Sequence, residues 1–264
     1  NTFTGPTTIS GGTLQMGRAN SLTTGTGVSV DAGTTFNLAN FDQNIGSLKG
    51  AGAVILGSGT LKTGNDNSTT TYSGVMSGTG GLTKVGTGVF TISGNNTYTG
   101  TTTITSGTLL AGIENALAQT SSVMIASGGA FDLNNFNQSI GSLGGSGSVT
   151  LGTATLTTGS DNIDRTYSGI MSGTGGLTKV GTGFLTLSGA NTFTGPVTIN
   201  AGTLQMGRAN SLTNGTVISV GAGTTFNLAN FDQSIGSLSG SGSVTLGTGT
   251  LTTGGDNVDK TYSG

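Results

Sequence analysis

The sequence predicts an all-β chain wound as a parallel β-helix. Three observations carry that expectation: a tandem repeat of fixed length, short strands in which apolar residues alternate with Thr, Ser or Asn, and glycine-rich turns between them. Asn1-Thr2-Phe3-Thr4-Gly5 returns from Asn96 and again from Asn191, two steps of 95 residues (96 − 1 and 191 − 96). The segment from Phe41 to Gly46 recurs from Phe136 and from Phe231, and Gly78-Thr79-Gly80-Gly81-Leu82-Thr83-Lys84 recurs from Gly173. The register never slips. The repeats are residues 1–95, 96–190 and an incomplete 191–264. They are read as one continuous β-helix over 1–264, excerpted from a longer chain.

Each strand is justified by period-2 alternation, the mark of one buried face. Thr7-Thr8-Ile9 and Thr13 to Met16 flank Ser10-Gly11-Gly12. Val28-Ser29-Val30 and Thr34 to Leu38 flank Asp31-Ala32-Gly33. Ala53 to Leu56 and Thr60 to Thr63 flank Gly57-Ser58-Gly59. Glycine suits these turns because it takes positive φ at no steric cost. No convincing helix appears. Arg18 to Leu22 and Glu114 to Ala118 are each good for at most one turn. A propeller blade takes about 40–50 residues, so this repeat would make two unlike blades. A β-helix coil of about 19–24 residues fits it four or five times, and stacking at ~4.8 Å would give a rod of roughly 55–65 Å. A propeller or a tandem of sandwiches stays as the alternative.

Composition excludes several function classes. Charged residues are only 7% of the chain, against roughly 25% in an ordinary domain. The hydrophobic fraction is 32% and the net charge −2, so this is a β-sheet composition and not a disordered one. Eight scattered Lys and Arg form no basic stripe, which argues against nucleic acid. There is no Cys and no His, so disulfides and thiolate metal sites are excluded. No apolar run approaches the ~20 residues of a membrane span, and the opening residues lack the basic start of a signal peptide.

All ten Phe and four Tyr fall in five slots of the repeat. Four slots recur in phase: Phe3, Tyr98 and Phe193; Phe36, Phe131 and Phe226; Phe41, Phe136 and Phe231; Tyr72, Tyr167 and Tyr262. Phe90 and Phe184 sit one residue apart in phase. Recurrence in every copy points to inward stacking in the core, whereas a ligand-binding aromatic is expected in one copy alone.

The stretch from Gly78 through Thr83-Lys84-Val85-Gly86-Thr87-Gly88 and Phe90-Thr91-Ile92-Ser93-Gly94-Asn95-Asn96-Thr97-Tyr98-Thr99-Gly100 to Gly107-Thr108-Leu109 resembles the passenger-associated transport repeat of bacterial autotransporters (type V secretion). The match recurs from Gly173 through Leu204, and the first residues of the chain carry its second half. The resemblance implies a right-handed parallel β-helix at the cell surface of a Gram-negative bacterium. It also implies a C-terminal barrel and an N-terminal signal outside this sequence. Nothing here matches the catalytic regions of the family's proteases and esterases.

Motifs that could carry chemistry are few. Asp161 and Asp164, and again Asp256 and Asp259, stand three apart beside glycines. They read as turn chemistry or as a weak ion site, and the first copy loses the second carboxylate at Thr69. Arg18 and Arg208 share one phase and read as solvated loops closing on a backbone carbonyl. Uneven coil lengths count against a registered threonine array of the ice-binding kind. No catalytic, cofactor-binding or metal-ligating residue is assigned and no cofactor is expected. The expected function is a structural stalk in a secreted or surface-anchored passenger, an adhesin or autoaggregation factor. The alternatives are a lateral glycan-binding or self-associating module and, last, a β-helix polysaccharide-active enzyme. Expected partners are a second copy, end to end or side by side, and surface glycans or proteins. Nucleic acid and membrane contact are not expected.

Overall fold

The computed structural model describes residues 1–264. The chain consists of β-strands and turns without a helix. It divides into two compact units, Asn1–Asp132 and Leu133–Gly264. All strand pairings within each are parallel, the pattern of a β-solenoid.

In the first unit three columns of strands form the walls. One runs from Thr7–Ile9 to Gly27–Val30 and on to Ser47–Gly50. It continues through Thr70–Tyr72 and Val89–Ile92 to the later part of Thr102–Ala111. A second stacks Thr13–Gln15, Thr35–Asn37, Ala53–Gly57 and Met76–Gly78. The third stacks Gln43–Asn44, Leu61–Thr63, Leu82–Lys84 and the start of Thr102–Ala111. In the second unit Gln138–Ile140, Leu156–Thr158, Leu177–Lys179, Val197–Ile199, Ile218–Val220 and Leu238–Gly240 make one unbroken column. Beside it stand Arg165–Tyr167, Phe184–Leu187, Thr203–Met206, Thr225–Asn227 and Ser243–Thr245. Met171–Gly173 lies on Ser148–Gly152, and a short pair joins Gln233–Ser234 to Leu251–Thr252.

A coil takes between 18 residues, from Gln138 to Leu156, and 22, from Gly50 to Tyr72. The turns absorb the difference. The outward hydroxyls of Ser139, Thr157, Thr178, Thr198, Ser219 and Ser239 therefore stay in register up one wall. Uneven coils do not break the register of this mixed serine and threonine column, because insertions fall at corners rather than in strands.

Alternation fills the interior. Leu156, Leu177, Val197 and Ile218 face inward one above another, each at 0% exposure. Burying a side chain of this size contributes about 1.5–3 kcal/mol. Corners need left-handed backbone. Asn40, Asn135 and Asn230 take φ of 72°, 64° and 73°. Each Oδ1 accepts a backbone N–H one coil on, from Ser58, Thr153 and Thr248, at 3.0 Å in all three copies. The candidate helical turns are of the same kind: Asn20, Asn115 and Asn210 sit at φ of 50°, 50° and 49°. Glycines also pass closely over one another. A Cβ at Gly74 would sit on the Gly52 carbonyl oxygen, and one at Gly94 on that of Gly74.

The aromatic slots divide. Phe36, Phe131 and Phe226 are fully buried, as are Tyr72, Tyr167, Tyr98 and Phe193, and Phe90 is 2% exposed. Phe3 is 45% exposed, Phe41 and Phe231 39%, and Phe184 43%, while Phe136 is half-buried. The core role therefore fails for the slot of Phe41. That residue follows Ala39 and Asn40, both left-handed, so strand parity is lost before it is reached. It fails for Phe184 because one residue of phase sends a strand side chain to the opposite face.

Candidate functional site

The interior holds two lysines, Lys84 and Lys179, in a chain with few cations. In Leu82–Lys84, alternation turns Leu82 and Lys84 inward and Thr83 outward. Lys84 is 1% exposed and lies between Thr63 and Ile104 of the neighbouring coils. Its Nζ donates to the carbonyls of Val85 at 2.6 Å, Gly86 at 2.9 Å and Ser106 at 3.2 Å. Lys179 repeats this, donating to Val180 at 2.6 Å, Gly181 at 2.8 Å and Ala201 at 3.3 Å. All three ammonium hydrogens are thereby used, two on the lysine's own corner and one on the coil above. The corner is built for it. Gly64, Gly86 and Gly107 take φ of 109°, 69° and 66°, and a Cβ at Gly107 would approach the Lys84 Nζ to 2.8 Å.

Burial pulls the Lys84 ammonium below the ordinary lysine value. Burial also lowers Lys179, against the opposing field of Asp161 and Asp164. The Thr63 and Thr158 hydroxyls in the same interior column are buried without a partner. The sequence did carry a signal: two of its few cations stand at one phase, at an inward parity, inside the motif.

Two amides staple coils in the same manner. Asn96 accepts from Met76 N at 2.8 Å and donates to Ala116 O at 2.7 Å and Gly94 O at 3.0 Å. Asn191 does the same with Met171, Ser211 and Gly189. Gln43 accepts from Ser21 N and donates to Arg18 O, a pattern that Gln233 repeats with Ser211 and Arg208.

The paired aspartates are placed in turns. Asp66, Asp161 and Asp256 each accept the N–H two residues on, from Ser68, Ile163 and Val258. Asp164 instead accepts Phe184 N at 2.8 Å from the next coil. No group of three His, Cys, Asp or Glu side chains comes together. Arg208 Nε reaches the Ala209 carbonyl at 3.3 Å on the surface, and the Arg18 carbonyl serves Gln43. In the first unit a hollow of about 850 Å³ is lined by Thr, Ser and Gly with Lys49 and Asp66.

This interior pattern of Leu-Thr-Lys strand, glycine corner and Asn staple coincides with known proteins. The family described as the passenger-associated-transport-repeat matches residues 1–16, 82–111 and 177–206, which hold both lysines and both buried Asn staples. The chain is an autotransporter passenger segment with passenger-associated transport repeats. It is 34% identical over 251 residues to the adhesin BmaC autotransporter of Brucella suis biovar 1 (strain 1330), an alignment covering 87% of this chain and 7% of that protein. The segment therefore spans a small fraction of the relative it matches. No solved structure matches it. As a passenger segment it has a surface or secreted location.

Proposed function

We propose that the segment is a non-catalytic structural part of an adhesin passenger, a stalk that carries contact surfaces away from the cell. The observation that carries this reading is how its polar interior is used. Lys84, Lys179, Asn96, Asn191, Gln43 and Gln233 all spend their polar atoms on backbone of their own or adjoining coils. Such groups hold coil to coil, and stability is then a sum of neighbour terms that repeats can extend without redesign. The adhesin named in the relative supports the cell-surface role. Proximity to outer-membrane anchorage, self-association and autoaggregation belong to the same proposal.

The test is display. Non-adherent bacteria carrying the chain on an outer-membrane anchor are compared with cells carrying the anchor alone, on host-cell and glycan-coated surfaces. Adhesion above the anchor control is expected. Equal adhesion of the two strains, with the chain verified at the surface, would overturn the adhesin reading.

A further inference from the structure

Within the second unit, Asp164, Arg165, Thr166, Phe184, Thr186 and Gln205 line a shallow hollow of about 320 Å³ on one wall. The strands beneath hold it in register: Thr166 lies beside Thr186, and Thr186 beside Gln205. Phe184 leaves its ring 43% exposed. Asp164 is fixed by the Phe184 N–H at 2.8 Å, and Arg165 by Nε on Ser142 Oγ at 3.2 Å. We propose that this hollow binds a neutral pyranoside, the ring of Phe184 under its apolar face and the Asp164, Gln205 and Thr186 side chains on its hydroxyls.

Two observations support that occupant. The first is chemical. A sugar presents C–H on one face and hydroxyls at its edge, and the hollow presents an aromatic face rimmed by a carboxylate, an amide and hydroxyls. Such a convergence of one apolar platform with a few placed polar groups is the usual form of a small-ligand site.

The second is the comparison between copies. At the earlier junction the same six positions are Thr69, Thr70, Thr71, Val89, Thr91 and Leu110. There the aromatic is Phe90, which points inward at 2% exposure, and Val89 takes the outward place. At the later junction the pair is exchanged: Phe184 points out and Leu185 in, at 3%. The coil geometry is the same, with Val89 beside Thr108 and Phe184 beside Thr203. Scaffold demands therefore do not place an aromatic on this wall. Of the two junctions that include this position, only the later sets an outward aromatic, Phe184, beside Asp164 and Arg165, the behaviour expected of a ligand-binding aromatic rather than of the scaffold.

The proposal rests on the adhesin reading, and its test separates the two. Phe184→Val and Gln205→Leu restore residues that the earlier junction already accommodates, so folding is retained. Saturation-transfer NMR on the whole chain is run with the methyl glycosides of glucose, galactose, mannose and N-acetylglucosamine. Binding of at least one is expected, with a dissociation constant on the order of 1 mM as suits a shallow site. Phe184→Val is expected to weaken it at least tenfold and Gln205→Leu severalfold. No saturation transfer from the wild-type chain to any of the four, or transfer unchanged by Phe184→Val, would overturn the site. So would a loss of self-association in Phe184→Val without any saccharide signal, since a second copy would then be the occupant. In the display assay, equal adhesion of wild type and Phe184→Val above the anchor control would remove the hollow and leave the adhesin reading standing. Adhesion by neither would remove the adhesin reading itself.

Discussion

Replacing Lys84 with Met keeps the length of the buried side chain and removes its ammonium. Three carbonyls then lose a donor now held at 2.6, 2.9 and 3.2 Å. Hydrogen bonds to a charged group contribute about 1.5–3 kcal/mol each. Against their sum stands the cost of keeping an ammonium out of water, several kcal/mol, which methionine relieves. The balance is a loss of about 2–3 kcal/mol. In a solenoid that loss stays near its own coil. The assay is native-state amide exchange. The Val85 amide, bonded to Thr63 O at 2.9 Å, should exchange roughly 30- to 160-fold faster, at 1.36 kcal/mol per tenfold. The Val180 amide, bonded to Thr158 O in the equivalent place, should not change. Unchanged or slower exchange at Val85 would refute the argument that these carbonyl contacts hold the corner.

Other perturbations follow from the same coil-to-coil logic. Asn96→Ala orphans three buried backbone groups on three levels of the stack and should cost about 2–4 kcal/mol, read as the denaturant midpoint. Gly94→Ala drives a Cβ onto the Gly74 carbonyl and should cost ~3 kcal/mol, whereas Gly5→Ala, with open space around it, should be neutral. Burial raises Tyr72, Tyr98 and Tyr167 well above the ordinary tyrosine value of 10.0. Above pH 10 the unfolded chain loses those protons and the folded chain keeps them, so stability falls by about 4 kcal/mol per pH unit. The depressed lysines act oppositely: between their folded values and 10.5 the unfolded chain holds the extra protons, and stability rises with pH. Denaturant titrations across the alkaline range should therefore show a gentle rise and then a steep fall. A monotonic profile would contradict the sign of one set or the other.

Much of the architecture was legible because a strand with one buried face writes its geometry as alternation. Thr7-Thr8-Ile9 is a strand with those ends, and Ala53–Gly57 extends the expected Ala53 to Leu56 by one residue. Lys84 was not legible as an interior residue because a charge is ordinarily read as solvated, although Leu82 two positions earlier fixed its parity. Phe41, Phe136 and Phe231 recur like core residues, but each follows a left-handed turn, and periodicity carries no parity through such a turn. Phe184 was readable in principle: with Leu185 and Leu187 inward, alternation sends it out. Its slip in phase relative to Phe90, together with Asp164 where the first copy has Thr69, was the trace of the hollow. The asparagine staples were hidden within a motif whose polar residues look like turn chemistry until the coils are stacked.

The central claim is that successive coils stack in parallel, one strand spacing per coil. The chain has no Cys, so pairs of spin labels can be placed cleanly. Ser139, Thr198, Ser219 and Ser239 lie in one column, at successive distances of three, four and five coils from the first. Pulsed electron–electron distances from a label at 139 to labels at 198, 219 and 239 should correspond to backbone separations of roughly 14, 19 and 24 Å, a constant increment of ~4.8 Å per coil. Equal distances, or increments well away from ~4.8 Å per coil, would contradict the parallel stack and the passenger architecture built on it.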